Sequence, residues 1–285
     1  MTTFGFIGAG NMAGAIVRGA VASGLTTDDG DRDAATILLT SAHDSAATLA
    51  GELGDERVTA TEDAAELVRR SDVVVLSVKP HVIPEVADEL ADALAEAAPL
   101  IVSLAAGLTL ERLESLLPER ARVVRVMPNV AAAVGQSMTA LAAGSHASQD
   151  DLATARGLMD AVGRTAVIAE KDFSAFIGLA GSSPAFVFTF IDALSRAGVL
   201  GGIPKAQAVE MVAQAVAGSA LTVQAEAARR AETGSGRTPA DLVDSVCSPG
   251  GTTVAGVVAM ERAGFSSAVI DAFNATVARD GELGA

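Results

Sequence analysis

The chain has a single cysteine, Cys247, which rules out a disulfide framework and a cysteine-built metal site and suits a reducing interior. Tryptophan and tyrosine are absent, and only Lys79, Lys171 and Lys205 are lysines, against a formal net charge of −15. A field of that sign repels nucleic-acid backbones and anionic membranes, so neither is expected as a partner. Dense carboxylates with few lysines and aromatics keep a surface hydrated in concentrated salt. The expected habitat is therefore a halophilic cytoplasm, with an acidic mesophilic protein as the alternative. No basic stretch precedes the first glycine turn, so no secretory signal is expected. No unbroken membrane-length run stands out either. The segment from Phe173 to Ile191 lacks charge, but Gly178, Gly181, Ser182, Ser183 and Pro184 interrupt it, and it reads as two buried segments. What is present is apolar mass: 50% of 285 residues are hydrophobic, enough for one large or two moderate domains.

The stretch Phe4-Gly-Phe-Ile-Gly-Ala-Gly-Asn-Met-Ala-Gly14 reads as a strand, a glycine turn and a helix start. Gly8 permits the tight turn, Gly10 leaves bare backbone for a pyrophosphate, and Ala13 allows close helix–strand packing, which gives the dinucleotide fingerprint G-x-G-x-x-A. Asn11 and Met12 supply the first helical N–H groups. A glycine-rich turn without a ligand has the same pattern. Thr36 to Thr40 predicts a second strand, ending at Ser41 instead of the Asp or Glu that holds a ribose 2′-hydroxyl. That end favours NADPH, with NADH possible because Asp44 is near and no arginine adjoins.

Val73 to Val78 and Leu100 to Leu104 predict strands buried on both faces, followed by Lys79-Pro80 and Ala105-Ala106-Gly107. Ligands of open α/β sheets lie beyond strand carboxyl ends, so both ends are candidates for a cofactor edge, although a solvated lysine is the plainer role for Lys79. Arg122 to Met127 predicts a further strand, closed by Pro128-Asn129, and Ala161 to Ala169 the last of the layer. From Glu170 the pattern turns helical: Pro184 to Ala197 with Ser183 as N-cap and Gly198 as stop, then Pro204 to Glu226. Small residues over so much of a helix imply cover on nearly all sides, hence an intertwined helical dimer. Ser248-Pro-Gly-Gly-Thr-Thr253 precedes an apolar helix from Val254 and offers N–H groups and hydroxyls suited to a carboxylate, or simply a capped helix start. His43, His81 and His146 fall at turns and read as surface residues.

Gly5-Phe-Ile-Gly-Ala-Gly-Asn-Met-Ala13, Val78-Lys79-Pro80, Arg125-Val-Met-Pro-Asn129, Gly181-Ser-Ser-Pro-Ala185 and Ser248-Pro-Gly-Gly-Thr-Thr253 together closely resemble the pyrroline-5-carboxylate reductase family, nearly end to end. The resemblance implies an α/β protein with a Rossmann-like dinucleotide-binding domain, residues 1–169, and an all-α dimerisation and substrate domain, residues 170–285. It implies an active site between the cofactor edge and helical loops, and a homodimer, often in a ring of dimers. Ile7, Gly8, Ala9, Gly10, Asn11, Met12, Ser41, Val78, Lys79, Pro80, Ala105, Ala106 and Ser245 are implied to contact the cofactor. Glu170 is implied to lie near the substrate, the Gly251 and Thr252 backbone to receive its carboxylate, and Thr253 to hydrogen-bond its ring nitrogen. The family usually has glycine at Ser183, tyrosine at Phe186 and threonine at Val130. The connector from Thr233 to Pro239 also lacks the acidic residue expected there.

The expected reaction is hydride transfer from a reduced nicotinamide to the carbon of a protonated five-membered cyclic imine acid, giving proline, with no metal and no covalent nucleophile. Two rivals remain: another Rossmann reductase acting on a deazaflavin or a keto acid, and a redox sensor that binds dinucleotide without turnover.

Overall fold

The apolar runs assemble into one sheet of β1 Thr3–Ile7, β2 Thr36–Thr40, β3 Val58–Ala60, β4 Val73–Leu76, β5 Leu100–Ser103, β6 Arg122–Met127, β7 Ser137–Ala143 and β8 Gly163–Val167. This computed structural model describes residues 1–28 and 34–283. The strand order is β3-β2-β1-β4-β5-β6-β7-β8. The first six run parallel, β7 is antiparallel to β6, and β8 is parallel to β7. Alternation explains the unbroken apolar runs. Val73 and Val75 join Phe4, Phe6 and Ile16 on one face, while Val74 and Leu76 join Ile101, Leu113 and Phe173 on the other. Helices α1 Asn11–Ala22, α2 Ser45–Leu53, α3 Ala64–Arg69, α4 Ile83–Glu89, α5 Ala91–Ala97, α6 Leu110–Leu116, α7 Gln149–Asp160 and the short α8 Phe173–Phe176 accompany this sheet.

A π turn, Ile177–Gly181, leads from α8 into α9 Ser183–Leu200, followed by α10 Lys205–Thr233, α11 Pro239–Val246, α12 Thr252–Arg262 and α13 Phe265–Leu283. The chain divides into two compact units, Met1–Pro184 with the residues from Thr276 onward, and Ala185–Ala275. Residues 170–184, helical as expected, thus group with the sheet, because Phe173 and Phe176 are buried in its core.

Several element ends differ from the sequence reading. β3 and β7 were not foreseen: β3 buries only Val58, and β7 lacks a β-branched run. Ser183 does not cap α9; it lies in the first turn and its Oγ donates back to Leu179 O at 2.7 Å. Gly198 does not stop that helix but admits α10, since a Cβ there would lie 3.0 Å from Ala208 Cβ. The stop comes at Gly201-Gly202, where Gly202 takes φ +92°. α10 runs on to Thr233, closed by left-handed Gly234, and α12 begins at Thr252, before Val254. The stretch after Pro184 is not buried within the chain: Phe188 is 60% exposed and Leu200 91%. Residues 170–200 form a helical segment long and apolar enough to cross a membrane by length and composition.

Candidate active site

Because β1, β2, β4, β5 and β6 run parallel, their carboxyl ends share one edge, and Ile7, Ser41, Val78 to Pro80, and Ala105 with Ala106 all lie along it. Gly8 takes φ +99°, the left-handed conformation the turn requires, and its N–H donates to Thr40 O at 2.9 Å. Ser77 Oγ lies 3.0 Å from Ile7 O and 2.6 Å from Gly8 O, so one hydroxyl proton ties the turn to β4. Ser77 escaped the sequence reading, although the Ile7–Leu76 register puts the next residue beside Gly8. Gly10 is the N-cap of α1, makes no side-chain cap and has no atom within 4 Å of where a Cβ would stand. The first intrahelical bond is Gly14 N to Gly10 O, so the N–H groups of Asn11, Met12 and Ala13 are open. An open N–H row at a helix start with no acidic residue in its first turn fits a dinucleotide pyrophosphate.

Ser41 is half-buried in a cavity of about 450 Å³ lined also by His43, Asp44, Thr61 and Glu62. Its Oγ accepts from Ala46 N at 3.0 Å and donates to His43 O, so the hydroxyl first expected to meet a ribose phosphate also tethers the start of α2. Lys79 is exposed and makes no ion pair among the described residues. Ala105 is buried with its N–H held by Ser103 Oγ at 3.3 Å, whereas Ala106 is exposed.

Glu170 is engaged within the sheet unit. Its Oε1 accepts from Leu110 N at 2.6 Å, at the start of α6, and from Arg125 Nη1 at 2.9 Å. Arg125 is 5% exposed, its guanidinium lies 4.4 Å from the Phe173 ring centroid, and its Nε has no hydrogen-bond partner among the described residues. A buried charge of this kind requires its counter-ion, so the carboxylate oxygen implied to meet substrate already holds an internal cation. Asn129, left by the sequence as a turn residue, is buried. It accepts from Ala131 N at 3.1 Å and donates from Nδ2 to Ala180 O at 2.9 Å.

In the helical unit α12 starts as α1 does. Gly251 is its N-cap without a side-chain cap, and its first turn carries no acid. By contrast α3, α6, α7 and α11 are capped by Asp63, Thr109, Ser148 and Thr238. Gly251 N donates to Ser248 O at 3.0 Å and the first bond of α12 is Ala255 N to Gly251 O, so among the described residues the N–H groups of Thr252, Thr253 and Val254 are open. Neither threonine hydroxyl is hydrogen-bonded among the described residues, and both side chains are exposed. Ser245 Oγ donates to Leu242 O at 2.8 Å at the end of α11. The connector runs close to α10, where a Cβ on Gly236 would clash with the carbonyl oxygen of Glu226. Arg237 binds Glu226, whose carboxyl is held below the usual range first by the Arg237 N–H and then by its guanidinium. His43, His81 and His146 are exposed, as expected, and among the described residues no three His, Cys, Asp or Glu side chains gather as a metal site requires.

A mostly parallel sheet with a glycine turn and an open helix start at its carboxyl edge has the architecture of a dinucleotide-binding protein. A family model described as pyrroline-5-carboxylate reductase dimerisation matches residues 170–283, and one described as NADP oxidoreductase, coenzyme F420-dependent, matches residues 3–107. The pyrroline-5-carboxylate reductase of Escherichia coli (strain K12) is 38% identical over 279 residues, 98% of this chain and 97% of its own. That of Glycine max is 37% identical over 281 residues, 99% of this chain and 96% of its own. The solved structure of a pyrroline-5-carboxylate reductase from Coxiella burnetii matches with a TM-score of 0.86 at 33% identity, covering 100% and 99% of the two chains. The chain belongs to the pyrroline-5-carboxylate reductase family. It is an NAD(P)-dependent oxidoreductase that reduces pyrroline-5-carboxylate to proline.

Proposed function

We propose that the enzyme uses NADPH in preference to NADH and works as a cytoplasmic homodimer, with a ring of dimers as the larger assembly. In this reading the open N–H groups after Gly10 hold the pyrophosphate. Ile7, Gly8 and Ala9 shape its approach, Ser41 faces the adenosine ribose, and Val78, Lys79, Pro80, Ala105, Ala106 and Ser245 complete the cofactor contacts. When bound, the reduced nicotinamide supplies the hydride. The chain's own work is to orient the imine: the N–H groups of Thr252 and Thr253 receive its carboxylate, and the Thr253 hydroxyl meets its ring nitrogen. Glu170 serves as the counter-ion of Arg125. The observation that carries this reading is that two long helices, α1 and α12, begin at glycine with bare N–H groups and no acid, one suited to a phosphate and one to a carboxylate.

Absence of a carboxylate at the end of β2 supports NADPH, because a hydroxyl leaves room for a 2′-phosphate. The dimer is supported by the exposed apolar faces of α9 to α13, among them Leu221 at 62% exposure, and an acidic surface suits a protein working in salt. Thr253→Val tests the site. Loss of a hydrogen bond to a charged ring costs about 1.5–3 kcal/mol, so kcat/KM for pyrroline-5-carboxylate falls roughly 10- to 150-fold. Cofactor affinity and unfolding free energy stay unchanged, since the hydroxyl caps nothing. Full turnover in the variant removes Thr253 from the mechanism.

A further inference from the structure

The helical segment that begins at Glu170 contains a fault in its hydrogen bonding. An α-helix would satisfy the carbonyl of Ala180 with the N–H of residue 184, and residue 184 is a proline, which has none. The backbone here widens into the π turn, with Ser182 N reaching Ile177 O at 2.7 Å. Two side chains serve the carbonyl at the fault and the one before it. Ser183 Oγ donates to Leu179 O at 2.7 Å, and Asn129 Nδ2 donates to Ala180 O at 2.9 Å across 51 residues of sequence. Asn129 is well placed for this. Its Oδ1 accepts from Ala131 N at 3.1 Å, which orients the side-chain amide, and its backbone N–H donates to Ser137 Oγ, also at 3.1 Å, which anchors the main chain beneath it.

Asn129 stands two residues beyond the carboxyl end of β6, on the edge that carries the candidate cofactor residues. In a dinucleotide-binding sheet the adenosine half lies over the β2 side, so the nicotinamide half lies toward β4 to β6. We propose that Asn129 is a positioning residue of the reductase: it gives Ala180 the donor that Pro184 withholds, and so fixes residues 181–183 beside the reacting end of the sheet edge. The inference rests on the reductase reading above, which the wild-type rate in the same assay tests separately.

The test is a double-mutant cycle. Asn129→Asp keeps the acceptor for Ala131 N but replaces the donor to Ala180 O with a second acceptor. In folded, dimeric protein kcat/KM for pyrroline-5-carboxylate falls roughly 10- to 100-fold, while NADPH affinity changes less than about 2-fold. Pro184→Ala restores a backbone N–H to Ala180 O, and in that background the same Asn129→Asp change costs less than about 3-fold. Pro184→Ser supplies the same N–H should the alanine variant not fold. An equal loss in both backgrounds, full activity of Asn129→Asp alone, or a loss of activity that only tracks loss of folded protein overturns the proposal.

Discussion

The sheet unit and the helical unit obey opposite rules of burial. In the first, Phe6, Ile16, Ile37 and Val102 are wholly buried and the faces of the sheet are covered from within the chain. In the second, among the described residues, only Ser195, Ala208 and Glu226 are buried, and the large apolar side chains of α9 to α13 face outward. Hydrophobic residues are as frequent in one as in the other, so the difference lies in what covers them. The sheet satisfies itself, and the helices carry an apolar surface that their own unit leaves open.

The largest expected effect breaks this contrast at its weaker side. Leu221→Glu puts a charge on the exposed apolar face of α10, and burying an unpaired charge in a dimer costs several kcal/mol. Light scattering should find monomers and the assay no turnover, while residues of the sheet unit keep their amide-exchange protection. Retained dimers would locate the interface elsewhere. Next is Glu170→Ala, which strands buried Arg125 and should lower unfolding free energy by about 3–5 kcal/mol in urea titrations. Unchanged stability with a raised KM would return Glu170 to the substrate.

Gly10→Ala sharpens the contrast without touching either core. Open space surrounds the site and its φ of −78° suits alanine, so stability should fall by less than about 1 kcal/mol. The added methyl crowds the phosphate approach, and NADPH should bind roughly 10-fold more weakly in fluorescence titrations. The smallest effect is electrostatic. Glu226 titrates below its unfolded value, so its bond with Arg237 stabilises the fold above the ordinary carboxylate range and is lost as pH falls through the folded value. Urea unfolding of the wild type should therefore weaken more on acidification than that of Glu226→Gln; identical slopes would mean that the connector holds without this pair.

Much of the fold was legible because local chemistry fixed it. The bounds of β2 and β6 and the glycine turn follow from β-branched runs and from one left-handed glycine. β7 was hidden because its Ala, Ser and Thr residues gain a strand's identity only by pairing with β6 and β8. Gly198 looked like a stop because its role, the close approach of Ala208, is made by another helix.

By itself the sequence determined the strand–turn–helix opening, the strands β1, β2 and β6 and the motifs that place the chain in its family, since each depends on residues a few positions apart. Only the tertiary structure decided which polar groups are free to act. Glu170 meets Arg125 across 45 residues and Asn129 meets Ala180 across 51. The physical reason is that a donor hydrogen is committed to one acceptor at a time. Which partner takes it depends on distances of about 3 Å that only the packed chain sets.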